Sequence, residues 1–66
     1  MKYSKLEAVV LYKALLGVKK TKDFTDCPSM DYANGLINIG MVKNGWDVEL
    51  TDLGMVTLKW LDNELN

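Results

Sequence analysis

Asn44-Gly45 is the most constraining feature of this sequence. Asn-Gly is the preferred central pair of a type I′ turn, because both positions take positive φ. Before it stands Met41-Val42-Lys43, and after it Trp46-Asp47-Val48-Glu49-Leu50. Alternation beyond the turn places Trp46, Val48 and Leu50 on one face and Asp47 and Glu49 on the other. Residues 41–50 are therefore expected to form a two-stranded hairpin.

Three helices are expected around it. Ser4 and Glu7 have capping-box spacing, in which the hydroxyl and the carboxylate each satisfy a first-turn backbone N–H. The apolar run from Leu6 to Leu16 follows, and Gly17 is a good terminator, so the first helix is placed at 5–16. At about 100° per residue its apolar side chains go nearly all the way round, which calls for cover on more than one side. The second helix is placed at 28–39. Met30, Ala33, Leu36 and Ile37 share one face, while Asp31, Asn34 and Asn38 share the other. Asp26, Cys27 and Ser29 are the candidate caps, and Gly40 ends the helix. Thr51 caps the third, at 52–64, with Leu53, Val56 and Trp60 on one side and Leu58, Leu61 and Leu65 on another. Between the first two, residues 18–28 form a polar connector. There Thr21 either caps a single turn through Asp26, anchored by Phe24, or begins an irregular loop.

Composition narrows the chemistry. A chain of 66 residues makes one small domain, 1–66, and cores of this size seldom supply more than about 3–5 kcal/mol without a staple or a partner. Cys27 is the single cysteine and histidine is missing, so neither a disulfide nor a zinc site is expected, nor any other cofactor. No paired-carboxylate or phosphate-loop motif stands out, which argues against an enzyme. The apolar run Leu6–Leu16 is too short for a bilayer and shows no cleavage site, so a cytoplasmic protein without a membrane partner is expected. Eight lysines against nine acidic residues give net charge −1, with no arginine. Any attraction to phosphate must then come from how the lysines are distributed. Lysine without arginine also hints at an A/T-rich genome, and the small size at a virus or mobile element.

The order helix, short segment, helix, tight hairpin, helix resembles a winged helix-turn-helix domain. Leu36-Ile37-Asn38-Ile39-Gly40-Met41-Val42 looks like the exit of a recognition helix into the first wing strand. Leu50-Thr51-Asp52-Leu53-Gly54 is similar to the Leu-Thr-x-x-Gly entry to the helix after the wing. The resemblance covers residues 29–65 and is to small prokaryotic or viral regulators. It implies a mainly α fold with a two-stranded β-hairpin, and a second helix cut to about one turn by the short connector. It also implies a transcriptional regulator that binds double-stranded DNA as a homodimer, with 28–39 as recognition helix and 41–50 as wing.

On that resemblance the candidate DNA-binding residues are Lys19, Lys20 and Lys22, Ser29, Asn34 and Asn38, and Lys43. Lysines contact phosphate, and asparagine reads adenine in the major groove. A solvated loop that happens to carry lysine is the plainer account of 19–22, and small polar residues that merely solvate the helix account for Asn34 and Asn38 equally well. The surplus apolar surface places the dimer interface at Val9, Leu11 and Leu15 of the first helix and Leu58, Leu61 and Leu65 of the last. The alternative is the same fold used as a protein-binding module or inhibitor that docks on a host protein. The slight acidity, the absent arginine and Asp31 favour that alternative. Trp46, Trp60, Met30, Met41 and Met55 are expected to pack in the core, with two alternatives: Trp46, beside the turn, as an exposed contact residue, and an exposed Met55 as an adaptable partner surface. Cys27 is expected to be a buried, unreactive thiol.

Overall fold

The computed structural model describes residues 3–66, so Met1 and Lys2 lie outside it. Helix α1 spans Lys5–Thr21, α2 Met30–Asn38 and α3 Asp52–Leu65. Strands β1 (Val42–Asn44) and β2 (Val48–Leu50) pair antiparallel between α2 and α3. The chain is thus mainly helical with a two-stranded hairpin.

Ser4 caps α1, accepting the Glu7 N–H at 3.2 Å. Glu7 answers by accepting the Ser4 hydroxyl at 2.9 Å rather than a backbone N–H, a variant of the expected box. The helix does not stop at Gly17. It runs one more turn to Thr21, and the glycine serves packing instead: Gly17 is buried where the Asp26 side chain crosses the helix, and a Cβ would collide with it. The terminator is instead Lys22, in the left-handed region at φ 56°, whose N–H donates to the Val18 carbonyl at 2.8 Å.

Residues 22–29 contain turns and no helix, so the one-turn second helix does not form. Side-chain bonds mark the passage from the last turn of α1 into this segment. The Thr21 hydroxyl donates to the Gly17 carbonyl at 2.7 Å, and Asp23 Oδ1 accepts the Phe24 N–H at 2.7 Å. Phe24 does pack against the edge of the core, as does Cys27.

Of the three candidate caps, Ser29 is the one used by α2, accepting the Tyr32 N–H at 3.2 Å. The helix is a little shorter than 28–39. Gly40, at φ 83°, ends it with two backbone bonds, Gly40 N–H to Ile37 and Met41 N–H to Leu36, the pattern of a Schellman motif. Ala33 and Leu36 are buried, but Met30, in the first turn, lies beyond the core and is exposed.

The hairpin forms with a different turn. Asn44 pairs with Val48 in the ladder, leaving Gly45-Trp46-Asp47 as a three-residue loop. Neither Asn44 nor Gly45 has positive φ, so the turn is not type I′. One residue more in the loop moves Trp46 out of the alternation and to the loop tip, where it is fully exposed (102%) instead of in the core.

Thr51 joins the hairpin to α3. Its N–H donates to the Met41 carbonyl at 3.0 Å, its hydroxyl donates to the Gly40 carbonyl, and the same oxygen accepts the Gly54 N–H at 3.1 Å. One threonine therefore ties the end of α2, the start of β1 and the first turn of α3 together.

The core lies between α1, α3 and the hairpin, closed from the α2 side by Leu36. Leu15 and Leu61 are completely enclosed, and Leu11 and Leu58 nearly so. Each such leucine contributes about 1.5–3 kcal/mol through burial. These four residues were expected at a dimer interface. They are instead the contact between α1 and α3 of one chain, because the two helices cover each other's apolar arcs. Val9 and Leu65 remain half-exposed. The apolar surplus of α3 is elsewhere, at Leu53, Met55 and Val56, so Met55 too is outside the core. Met41 is buried and Trp60 partly so.

Candidate functional site

A groove of about 710 Å³ opens between the C-terminal half of α1, the hairpin and α3. Four lysines line it: Lys19 and Lys22 from the end of α1, Lys43 from β1 and Lys59 from α3. Leu16, Val48, Leu50 and Leu58 supply apolar surface beneath them. Glu49 and Asp62 are its acidic members, so four ammonium groups face two carboxylates on a chain whose total is −1.

Both carboxylates are engaged. Lys43 Nζ lies 3.6 Å from Glu49 Oε2, across the Lys43–Glu49 register of the hairpin. Both groups are well exposed, so the pair is weak and leaves Lys43 free to exchange partners. Asp62 accepts the Tyr12 hydroxyl at 2.9 Å and an Asn66 side-chain N–H at 2.9 Å. The Tyr12 phenol is held above its ordinary value, first by that hydrogen bond to Asp62, then by desolvation and by the carboxylate's charge.

The sequence-predicted residues divide between surfaces. Lys19, Lys22 and Lys43 share the groove; Lys20 is exposed in the last turn of α1 but does not line it. Lys19, Lys20 and Lys22 stand at the C-terminal end of α1, not at the start of a second helix, since α1 runs on to Thr21. Ser29 is occupied as the cap of α2. Asn34 and Asn38 are exposed one turn apart on α2, but α2 contributes no residue to the lysine groove. Lys59 was missed. It is a lone cation in an apolar stretch, and only the crossing of α3 over α1 and the hairpin brings it beside Lys43.

A second groove, of about 570 Å³, lies between the N-terminal half of α1 and α2. It shares no lining residue with the first, and its character is opposite. Leu6, Val10, Tyr32 and Ile39 make it apolar, and its charged members are Glu7 and Asp31. Burial, before the weaker influence of Cys27, Tyr3 and Glu7, raises the Tyr32 phenol above its ordinary value.

Cys27 is half-buried, and burial followed by the neighbouring Asp26 pushes its thiol up, which disfavours the reactive thiolate. Among the described residues no cluster of three or more His, Cys, Asp or Glu side chains could hold a metal ion, and no helix is long and apolar enough to cross a membrane. Comparison of the chain with protein-family models, with curated proteins and with solved structures finds no match.

Proposed function

We propose that this chain is a small DNA-binding regulator that grips the phosphate backbone of a duplex through its lysine groove. The observation that carries this reading is the meeting of Lys19, Lys22, Lys43 and Lys59, from three separate elements, on one surface of a net acidic chain. Four of the chain's eight lysines line this groove against two of its nine acidic groups, so the local charge is positive. Backbone contact of this kind works by counterion release, is independent of base sequence and weakens steeply with salt.

The resemblance to winged helix-turn-helix regulators supports the same reading, through the exit of α2 at Gly40 and the Thr51-to-Gly54 entry to α3. In that scheme Asn34 and Asn38 read bases. Their exposure agrees with such a role, and since they do not line the lysine groove, phosphate contact there does not depend on them. A homodimer is not part of the proposal, since four of the six residues assigned to its interface are inside the chain's own core. A protein partner is favoured by a different surface, the apolar groove beside α2.

The test is fluorescence anisotropy of a labelled duplex titrated with the whole chain at several salt concentrations. Binding at low salt is expected, and exchanging Lys22 and Lys59 together for alanine should weaken it and lower the salt slope by about 1–2. Absence of binding at low salt and high protein concentration would overturn the proposal. So would binding that the double variant leaves unchanged.

A further inference from the structure

We infer that the groove between α1 and α2 is a docking site for a basic amphipathic helix of a partner protein. This inference is independent of the lysine groove and of DNA. Two of its apolar side chains are far more exposed than a finished surface needs, Leu6 at 74% and Ile39 at 56%. Gly35, in the middle of α2, has nothing within 4 Å of where a Cβ would sit, so the groove is open at its centre down to the helix backbone. A glycine inside a helix costs about 1 kcal/mol against alanine. An incoming side chain that seats over the bare backbone gives that glycine a use.

The occupant's charge follows from the borders. Glu7 and Asp31 are the charged residues lining the groove, one from each helical wall, and neither pairs with a cation among the described residues. An apolar trough with carboxylates on both walls fits a helix whose apolar stripe is flanked by lysine or arginine. Such helices dock through anchors at i, i+3, i+4 and i+7. An acidic helix would bring like charges together on both sides, and the pairing of opposite signs adds both association rate and selectivity. A second copy seated groove to groove fits less well, because a two-fold contact would set Glu7 and Asp31 of one copy against the same carboxylates of the other.

The experiment titrates the full chain against two fluorescent synthetic helical peptides with one leucine stripe, flanked by lysine in one and by glutamate in the other. The lysine peptide is expected to bind at least about tenfold more tightly. G35W, which fills the groove, should reduce that binding about tenfold or more, and the pair Glu7→Gln with Asp31→Asn should erase most of the preference between peptides. Should circular dichroism show G35W to be unfolded, Ile39→Asp serves as the second block. Equal binding of both peptides, or binding unaffected by the folded blocking variant, overturns the inference. Sedimentation that shows a wild-type dimer, made monomeric by Leu6→Asp, also overturns it, by giving the groove to a second copy.

Discussion

The carbonyl of Met41 occupies the space into which a side chain on residue 54 would grow, and Gly54 is the residue that leaves it free. The Leu50 Cβ lies 3.4 Å from the same point, so the first turn of α3 rests directly on β2 and on the residue that leads into β1. That close approach is the joint on which the whole small fold depends. The Met41 oxygen is not free to move, because it accepts the Thr51 N–H at 3.0 Å.

Gly54→Ala is therefore expected to destabilise the chain by about 1–3 kcal/mol, despite the roughly 1 kcal/mol that alanine gains over glycine in a helix. Gly35→Ala should do the reverse and stabilise by up to about 1 kcal/mol, since its Cβ would meet nothing. Urea unfolding of the two variants checks the opposite signs.

Removal of the Trp46 ring should leave stability within about 0.5 kcal/mol, because the side chain is fully exposed at the loop tip. Leu61→Ala is expected to cost about 2–5 kcal/mol, enough to abolish folding in a domain with so small a core. Iodide should quench Trp46 fluorescence freely. Trp60 is half-buried beside the Tyr3 ring, with centroids 6.5 Å apart, and should be quenched less.

The Tyr12–Asp62 bond makes stability depend on alkaline pH. The folded phenol has a raised pKa, so its protonated form is the one stabilised, and the ordinary value is 10.0. The bond's contribution is complete below that value and is lost as pH rises through the higher folded one. Ultraviolet titration of wild type against Tyr12→Phe should isolate this phenol above the ordinary value. Asp62→Asn should bring it back down.

Glu49→Gln removes one of two carboxylates from the lysine groove and frees Lys43. Stability should shift by less than about 0.5 kcal/mol, as for other exposed pairs. Duplex affinity at low salt should rise severalfold, read by anisotropy. A fall in affinity would mean that Lys43 needs Glu49 to hold it in place.

Local signals in the chain were enough for the starts of the three helices and for the presence of the hairpin. Ser4, Ser29 and Thr51 each cap the helix that follows, because a hydroxyl three residues before a free N–H acts within a single turn and needs no distant partner. Gly40 ends α2 for the same reason: a left-handed residue is required and glycine supplies it. The hairpin between them was also legible, though not its turn. Asn44-Gly45 carries the preference for a type I′ turn, but the cross-strand pairing of Val42 with Leu50 and Asn44 with Val48 wins and moves the loop one residue on.

Tertiary packing decided what the local pattern left open. Gly17 reads as a helix end, yet α1 runs through it to Thr21 and the glycine is where the Asp26 side chain crosses the helix. Leu11, Leu15, Leu58 and Leu61 read as apolar surface in search of a partner, and only the meeting of α1 with α3 shows that the partner is the same chain. Lys59 joins Lys19, Lys22 and Lys43 for the same cause. The N-caps at Ser4, Ser29 and Thr51 and the glycine end of α2 depend on atoms within a few residues of one another, so the sequence by itself determines them. Which apolar face is covered, and which charges come to share a groove, depends on helix crossings between residues forty or so positions apart, as with Lys19 and Lys59, and no local pattern encodes those.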